Sequence, residues 1–262
     1  MTLIEMTIVI AVIGVIAAAL AVFLVSPVRG YTDTVQRLQL VEQADFALRR
    51  ITRDLGAALP NSVRTTINGQ DSILEYMDVR SAARYCNAND CGGALFDGNQ
   101  TFSWFSPAGL SVSNGNYIAL ANGTTSDCDV YAASSNNRRT VSSVTGNSIT
   151  LSANAFGSLC AESNRRFFVV TGPVSFACDA ANRTLWRYSG YGIQPTIPAS
   201  VAALNVLSGV TKARLATDVE CASTSFNLTA INENLLELRI QLMSSTGEKV
   251  NLYRQFRLEQ AI

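Results

Sequence analysis

The opening stretch MTLIEMTIVIAVIGVIAAALAVFLV sets the strongest constraint on this chain. Residues 8–25 carry no charge, Gly14 is the one small interruption, and Glu5 stands at the front of the run. About 20 apolar residues at a helical rise of ~1.5 Å cross a bilayer core. A secretory signal would need a basic start and a small-residue cleavage site. Here no Lys or Arg precedes Arg29, nothing after Val25 resembles such a site, and the helical pattern continues beyond. A plain membrane anchor explains the length but not Glu5, because an unpaired carboxylate within a spanning segment costs several kcal/mol. Glu5 lies ~6–8 Å from the helix start, close enough to keep it among wet headgroups.

The helix is expected to change character after residue 25. Pro27 lacks a backbone donor and Gly30 adds looseness, so a kink or melted turn is expected within SPVRG. A second helical pattern runs from about Tyr31 to Leu59. Val35, Leu38, Val41, Leu48, Ile51, Leu55 and Leu59 form its apolar stripe, and Arg37, Glu42, Arg49, Arg50, Arg53 and Asp54 take the other faces. The stripe is expected to pack on a sheet, and Pro60 marks the stop. These features divide the chain into a membrane-spanning helix (1–25), an amphipathic continuation (26–60) and a β-rich head (61–262).

Beyond Val63 the composition turns to Ser, Thr, Asn and Gly, with short β-forming runs at 72–79, 116–121, 147–153, 165–178, 183–189, 211–217, 235–244 and 249–259. In the last two, Leu236, Leu238, Ile240 and Leu242 alternate with Glu237, Arg239 and Gln241. Joined by STGE, they read as an antiparallel hairpin. Residues 86–164 pattern weakly and are expected to be a loop/β insertion held by disulfides. The fold class is therefore α+β: a long N-terminal helix, membrane-spanning in its first half, packed on an antiparallel head.

The function classes narrow on composition. The chain has 20 basic and 20 acidic residues and no histidine, which removes the commonest general base and zinc ligand. There is no G-x-S-x-G and no P-loop, so no catalytic, cofactor-binding or metal-binding residue is assigned and an enzyme is not expected. Asp127 and Asp129 in SDCDV lack calcium-loop spacing and read as solvated. The pairs Arg138–Arg139 and Arg165–Arg166 are isolated in a neutral chain, which argues against a nucleic-acid partner. The six cysteines allow fifteen pairings. The expectation is sequential, Cys86–Cys91, Cys128–Cys160 and Cys178–Cys221, in an oxidising compartment. Trp104, Phe105, Tyr188 and Tyr191 are candidates for a contact surface, although aromatic residues in strands are more often core.

MTLIEMTIVIAVIGVIAAAL resembles the N-terminus of the type IV pilin superfamily, with Thr2, Leu3, Ile4 and Glu5 carrying the likeness. Many members start with Phe where this chain has Met1, and many place the helix proline where it has Val22. FALRRITRDLGAALPNSVR, TGPVSFAC, LWRYSGYG and GEKVNLYRQFRLEQ are similar to large minor pilins. The likeness is to the O-component family of MSHA pilus biogenesis, and more distantly to W-type minor pilins and the J-type pseudopilins of type II secretion. It implies a pilin-like fold, a removed basic leader, N-terminal methylation of the processed prepilin and an assembly role for Met1 to Glu5. Glu5 would pair with the terminal amine of a neighbouring subunit.

The implied function is to initiate or prime a filament with other minor pilins. The alternatives are an adhesive tip subunit and a type II secretion pseudopilin. The implied partners are minor and major pilins, an inner-membrane assembly platform, prepilin peptidase before maturation, and membrane lipid before assembly. The implied location is the bacterial inner membrane with a periplasmic head, then the cell-surface pilus.

Overall fold

The computed structural model describes residues 2–86, 95, 96, 98–105, 109–120, 122, 123, 126–133, 136–152, 156, 160, 164–228 and 235–258, with the backbone alone at 22 and 24–29. Helix α1 spans Leu3–Leu55, 53 residues. It stays helical through Pro27 and Gly30, so the melted turn expected there is corrected. A proline removes one amide bond, while every flanking residue adds one, and a long helix tolerates that loss. Gly30 is not required by space, since a Cβ there would meet nothing within 4 Å.

The helix stops at Leu55, four residues short of the Leu59 expected from periodicity. The N–H of Gly56 closes the last turn on the Thr52 carbonyl (3.1 Å), and Leu59 turns away into a separate buried cluster.

Among the described residues twelve strands and a short α-helix follow: β1 (Arg64–Asn68), β2 (Asp71–Tyr85), β3 (Thr101–Phe105), β4 (Tyr117–Ala119), β5 (Arg138–Thr145), β6 (Ser148–Leu151), β7 (Arg166–Asp179), β8 (Thr184–Ser189), α2 (Val201–Asn205), β9 (Thr211–Ala216), β10 (Ser225–Leu228), β11 (Leu235–Met243) and β12 (Lys249–Arg257). Strands β2 and β7 form the spine, an antiparallel ribbon paired from Ile73↔Ala177 to Arg84↔Arg166. Its two ends are built differently.

At the proximal end β1, β2, β7, β8 and β9 make one antiparallel sheet, and β10, β11 and β12 make a second. The rear of α1 packs between them through Leu40, Ala44, Ala47, Leu48, Ile51 and Leu55. These meet Leu74, Tyr76, Phe176, Leu236, Leu238, Ile240 and Leu242 in the largest core. Leu48, Ile51 and Leu55 of the expected stripe are buried and Val41 packs beside them, whereas Leu38 is 57% exposed and two alanines take inner positions. Small side chains bring the helix axis close to the sheets, which the apolar periodicity of large residues does not report. The β11–β12 hairpin pairs Leu235↔Arg257 through Met243↔Lys249, with its even-numbered leucines inward.

At the distal end the order β2-β3-β6-β5-β4-β7, with β7 returning to β2, closes a six-strand barrel. Its interior holds Ala83, Tyr85, Phe102, Trp104, Ile118, Leu120, Val141, Ile149, Leu151, Phe167 and Val169. Within the 86–164 segment, expected to be a loop/β insertion, lie four strands, β3 to β6, which close over a core shared with β2 and β7.

Between the ends, register shifts at Asp78, Val79 and Ser81 form an irregularity opposite residues 169–172, next to Gly172 (φ 145°) and Pro173. Residues 172–174 of β7 pair with β2 alone, so Pro173 interrupts no second ladder. An extra residue here increases twist and divides the ribbon between the two cores.

Cys128–Cys160 and Cys178–Cys221 are bonded, with Cα separations of 5.7 and 5.6 Å. Cys86 is also disulfide-bonded, and its expected partner Cys91 lies outside the described residues.

Candidate functional site

The least satisfied part of the molecule is the front of α1. Leu3–Ala21, 19 residues, is long and apolar enough to cross a membrane, and none of it is buried within the chain. Leu and Ala favour a helix, but the uniformly apolar run gives this one no polar side to turn away from a core. Apolar exposure continues past the span. Tyr31 (72%), Leu38 (57%) and Phe46 (61%) recur at spacings that place them on one outward stripe of α1.

The rear half is fixed by charge as well as by core. Asp54, little exposed, accepts from Arg187 of β8 (2.8 Å) and Arg50 (3.0 Å), and Asp45 reaches Arg254 of β12 (3.7 Å). One end of a single helix is thus locked into the head, while the other, Leu3–Ala21, is buried against nothing among the described residues.

Thr2, Leu3, Ile4 and Glu5 sit together at the start of α1; Met1 lies outside the described residues. The Thr2 backbone N–H donates to Glu5 Oε2 at 2.7 Å. This is the glutamate half of a capping box, and T-x-x-E before an apolar run is its sequence signature. The sequence reading missed it. The carboxylate also sits at the positive end of the helix dipole. Glu5 therefore has a partner within its own chain, which a partner on another subunit would have to displace.

A second polar constellation was not anticipated. Glu75 is fully buried and lies opposite Ser175 across the β2–β7 ribbon. Arg64 Nη2 donates to Glu75 Oε1 at 2.6 Å and to the Gln194 carbonyl at 2.7 Å; its Nη1 donates to the Pro195 carbonyl at 2.9 Å. The guanidinium lies 3.6 Å from the Tyr131 ring centroid, and Tyr131 donates to the Ser62 carbonyl. Ser175 Oγ donates to Glu75 and shares a bond with Tyr191 Oη.

Burial raises the Glu75 carboxyl, with Arg64 pulling the other way; burial likewise raises Tyr191 and Tyr131. The groups are spent on one another and clamp the 191–195 and 129–131 segments to the sheet. The signal was present in SILEYMDV, where Glu75 falls in phase with the inward Ile73 and Met77.

A cleft of about 360 Å³ lies apart from this cluster, lined mainly by Leu55 to Asn61, Val79, Phe168 and Phe256 to Leu258. Its walls are largely apolar, and among the described residues Arg257 is the one ionisable group lining it.

Of the four aromatic contact candidates, Trp104, Tyr188 and Tyr191 are buried and Phe105 is 63% exposed. Strand alternation separates Phe105 from its neighbour. Among the described residues no group of three or more His, Cys, Asp or Glu could hold a metal ion; Asp129 Oδ1 accepts from the Tyr131 N–H (2.9 Å).

The chain matches no family model, no curated protein and no solved structure.

Proposed function

We propose that this chain is a pilin-type assembly subunit, tethered in a membrane by the front of α1 and joined to other subunits by packing that same helix into a bundle. The observation that carries the reading is the division of α1: an apolar front with no buried residue, continuous with a rear half locked into a β head. The outward stripe at Tyr31, Leu38 and Phe46 lengthens the surface that neighbouring helices would cover.

Within this reading the finer assignment is a minor pilin of the MSHA-like O-component family, priming a filament with other minor pilins from the inner membrane. Glu5 exchanges its own Thr2 N–H for the terminal amine of an adjacent subunit. A buried charge left unpaired is strongly unfavourable while a paired one about breaks even, so the exchange selects helices in correct stagger.

The test is co-purification of Glu5→Ala protein with its partner pilins from detergent-solubilised membranes. Glu5→Ala should leave membrane insertion and head melting unchanged and reduce recovered partners by about tenfold, the equivalent of ~1.4 kcal/mol. Unchanged recovery would remove the pairing role. Failure of Leu38→Asp and Phe46→Asp to reduce recovery as well would remove the bundle reading.

A further inference from the structure

We infer that the outer face of the distal barrel is a binding site for an anionic polysaccharide of the uronic-acid type, bound through Phe105, Arg84 and a grid of hydroxyls. Three adjacent strands build the grid. Thr101 lies opposite Thr150 and Ser103 opposite Ser148 across β3–β6, while Ser143 and Thr145 face the same two residues across β5–β6. The alternate residues Phe102, Trp104, Ile149 and Leu151 are buried inside the barrel, so the six hydroxyl side chains share the outer surface. Thr101 and Thr150 hydroxyls are 3.0 Å apart, and those of Ser103 and Ser148 3.4 Å. Each hydroxyl offers one donor and two acceptor positions, so contacts among themselves leave most of that capacity for a ligand.

Phe105 is the next outward residue on β3, and its ring is 63% exposed. Directly across from it on β2 stands Arg84, exposed and without an ion pair among the described residues.

The arrangement matches one ligand chemistry. A sugar ring presents C–H groups to an aromatic face and hydroxyls to hydroxyls, and a carboxylate is what a guanidinium recognises best. A nucleic acid would want a longer row of cations along its phosphates. A neutral glycan would leave Arg84 without a role. The inference stands on the barrel alone and does not depend on how α1 assembles.

The experiment uses the full-length chain in detergent, titrated with polygalacturonate oligomers, with dextran and with a single-stranded oligodeoxynucleotide. Polygalacturonate should bind, and Phe105→Ala and Arg84→Gln should each weaken it by about tenfold. Dextran and the oligonucleotide should bind at least that much more weakly, and Glu5→Ala should bind like the parent. Both barrel substitutions are at exposed positions, and unchanged melting measured by Trp104 fluorescence establishes that the barrel is intact. Absent binding, equal binding by both variants, dextran binding indifferent to Arg84→Gln, or equal affinity for the oligonucleotide would each overturn the assignment.

Discussion

The proximal end of the β2–β7 ribbon borrows its core, and the distal end makes its own. Proximally, the inward residues of β2 and β7 are covered by α1, a segment that ends before the first strand begins, and by β11 and β12 from the far end of the chain. Distally, the same two strands bend through a register irregularity and are covered by four strands inserted between them in sequence. A closed barrel leaves no unpaired edge within the ring, so this end needs nothing from α1. The lesson concerns the division of labour. The lobe that holds α1 is tied to whatever happens to that helix, whereas the barrel can carry a separate surface chemistry without sharing its core.

The largest expected effects test this separation directly. Phe102 is buried in the barrel with Phe167 edge-on at 5.4 Å, and Ile51 is buried under the proximal sheets. Phe102→Ala should cost about 3–5 kcal/mol and Ile51→Ala about 2–5 kcal/mol. The chain's two tryptophans report the lobes separately: Trp104 lies in the barrel, and Trp186 packs on the cluster behind the proximal sheet. In single-tryptophan proteins made with Trp104→Phe or Trp186→Phe, Phe102→Ala should lower the urea midpoint seen by Trp104 well below that seen by Trp186. Ile51→Ala should do the reverse. Coincident midpoints in both variants would mean that the two cores melt as one unit.

Arg64→Met tests what joins the lobes. It strands a buried carboxylate and frees the 194–195 carbonyls, an expected loss of about 3–5 kcal/mol at neutral pH, felt by both tryptophans. The pH dependence separates this charge effect from lost packing. Burial already raises Glu75 above its ordinary 4.5, so between 4.5 and its native value the folded chain binds more protons than the unfolded one. Stability therefore falls as pH rises through that window. Without Arg64 the carboxyl rises further and the window widens toward neutrality, so the deficit in urea melts should shrink when pH is lowered from 7 to about 4.5. An equal deficit at both pH values would assign the loss to packing.

Much of this architecture can be read from local pattern. The β11–β12 hairpin was legible because one face is buried and the other wet, which imposes strict alternation. The apolar front of α1 was legible because length and composition suffice. Strand β3, at Thr101 to Phe105, was missed although it alternates, because it is five residues long and sits in Asn- and Gly-rich surroundings. Strands β1, β5 and β10 escaped for the same lack of long apolar runs. Barrel closure is a property of pairing between distant segments, and no local period encodes it. Glu75 and Arg64 were missed for a related reason: eleven positions apart, they look like ordinary strand charges until β1 folds back on β2. The Glu5 hydrogen bond to Thr2 was in the sequence as T-x-x-E, but the apolar run behind it drew the reading toward a partner outside the chain.

The smallest effect expected lies at alkaline pH, where the tyrosines give the comparison a chemical edge. Burial raises Tyr188 from 10.0 to about 12, with Asp179 and Asp71 adding to it. Burial also raises Tyr76, Tyr131 and Tyr191. Tyr76 belongs to the α1 core, Tyr188 and Tyr191 to the cluster on the opposite sheet face, and Tyr131 to the junction. A phenol raised in the folded state keeps its proton after the unfolded chain has lost it, so each of the four withdraws stability as pH climbs past 10. The proximal lobe and junction should therefore soften first. Phenolate absorbance at 295 nm should lag behind that of free tyrosine until Trp186 emission shifts, and Trp104 emission should follow at higher pH. If Trp104 reports the transition first, the barrel is the weaker lobe and its independence from α1 has been overstated.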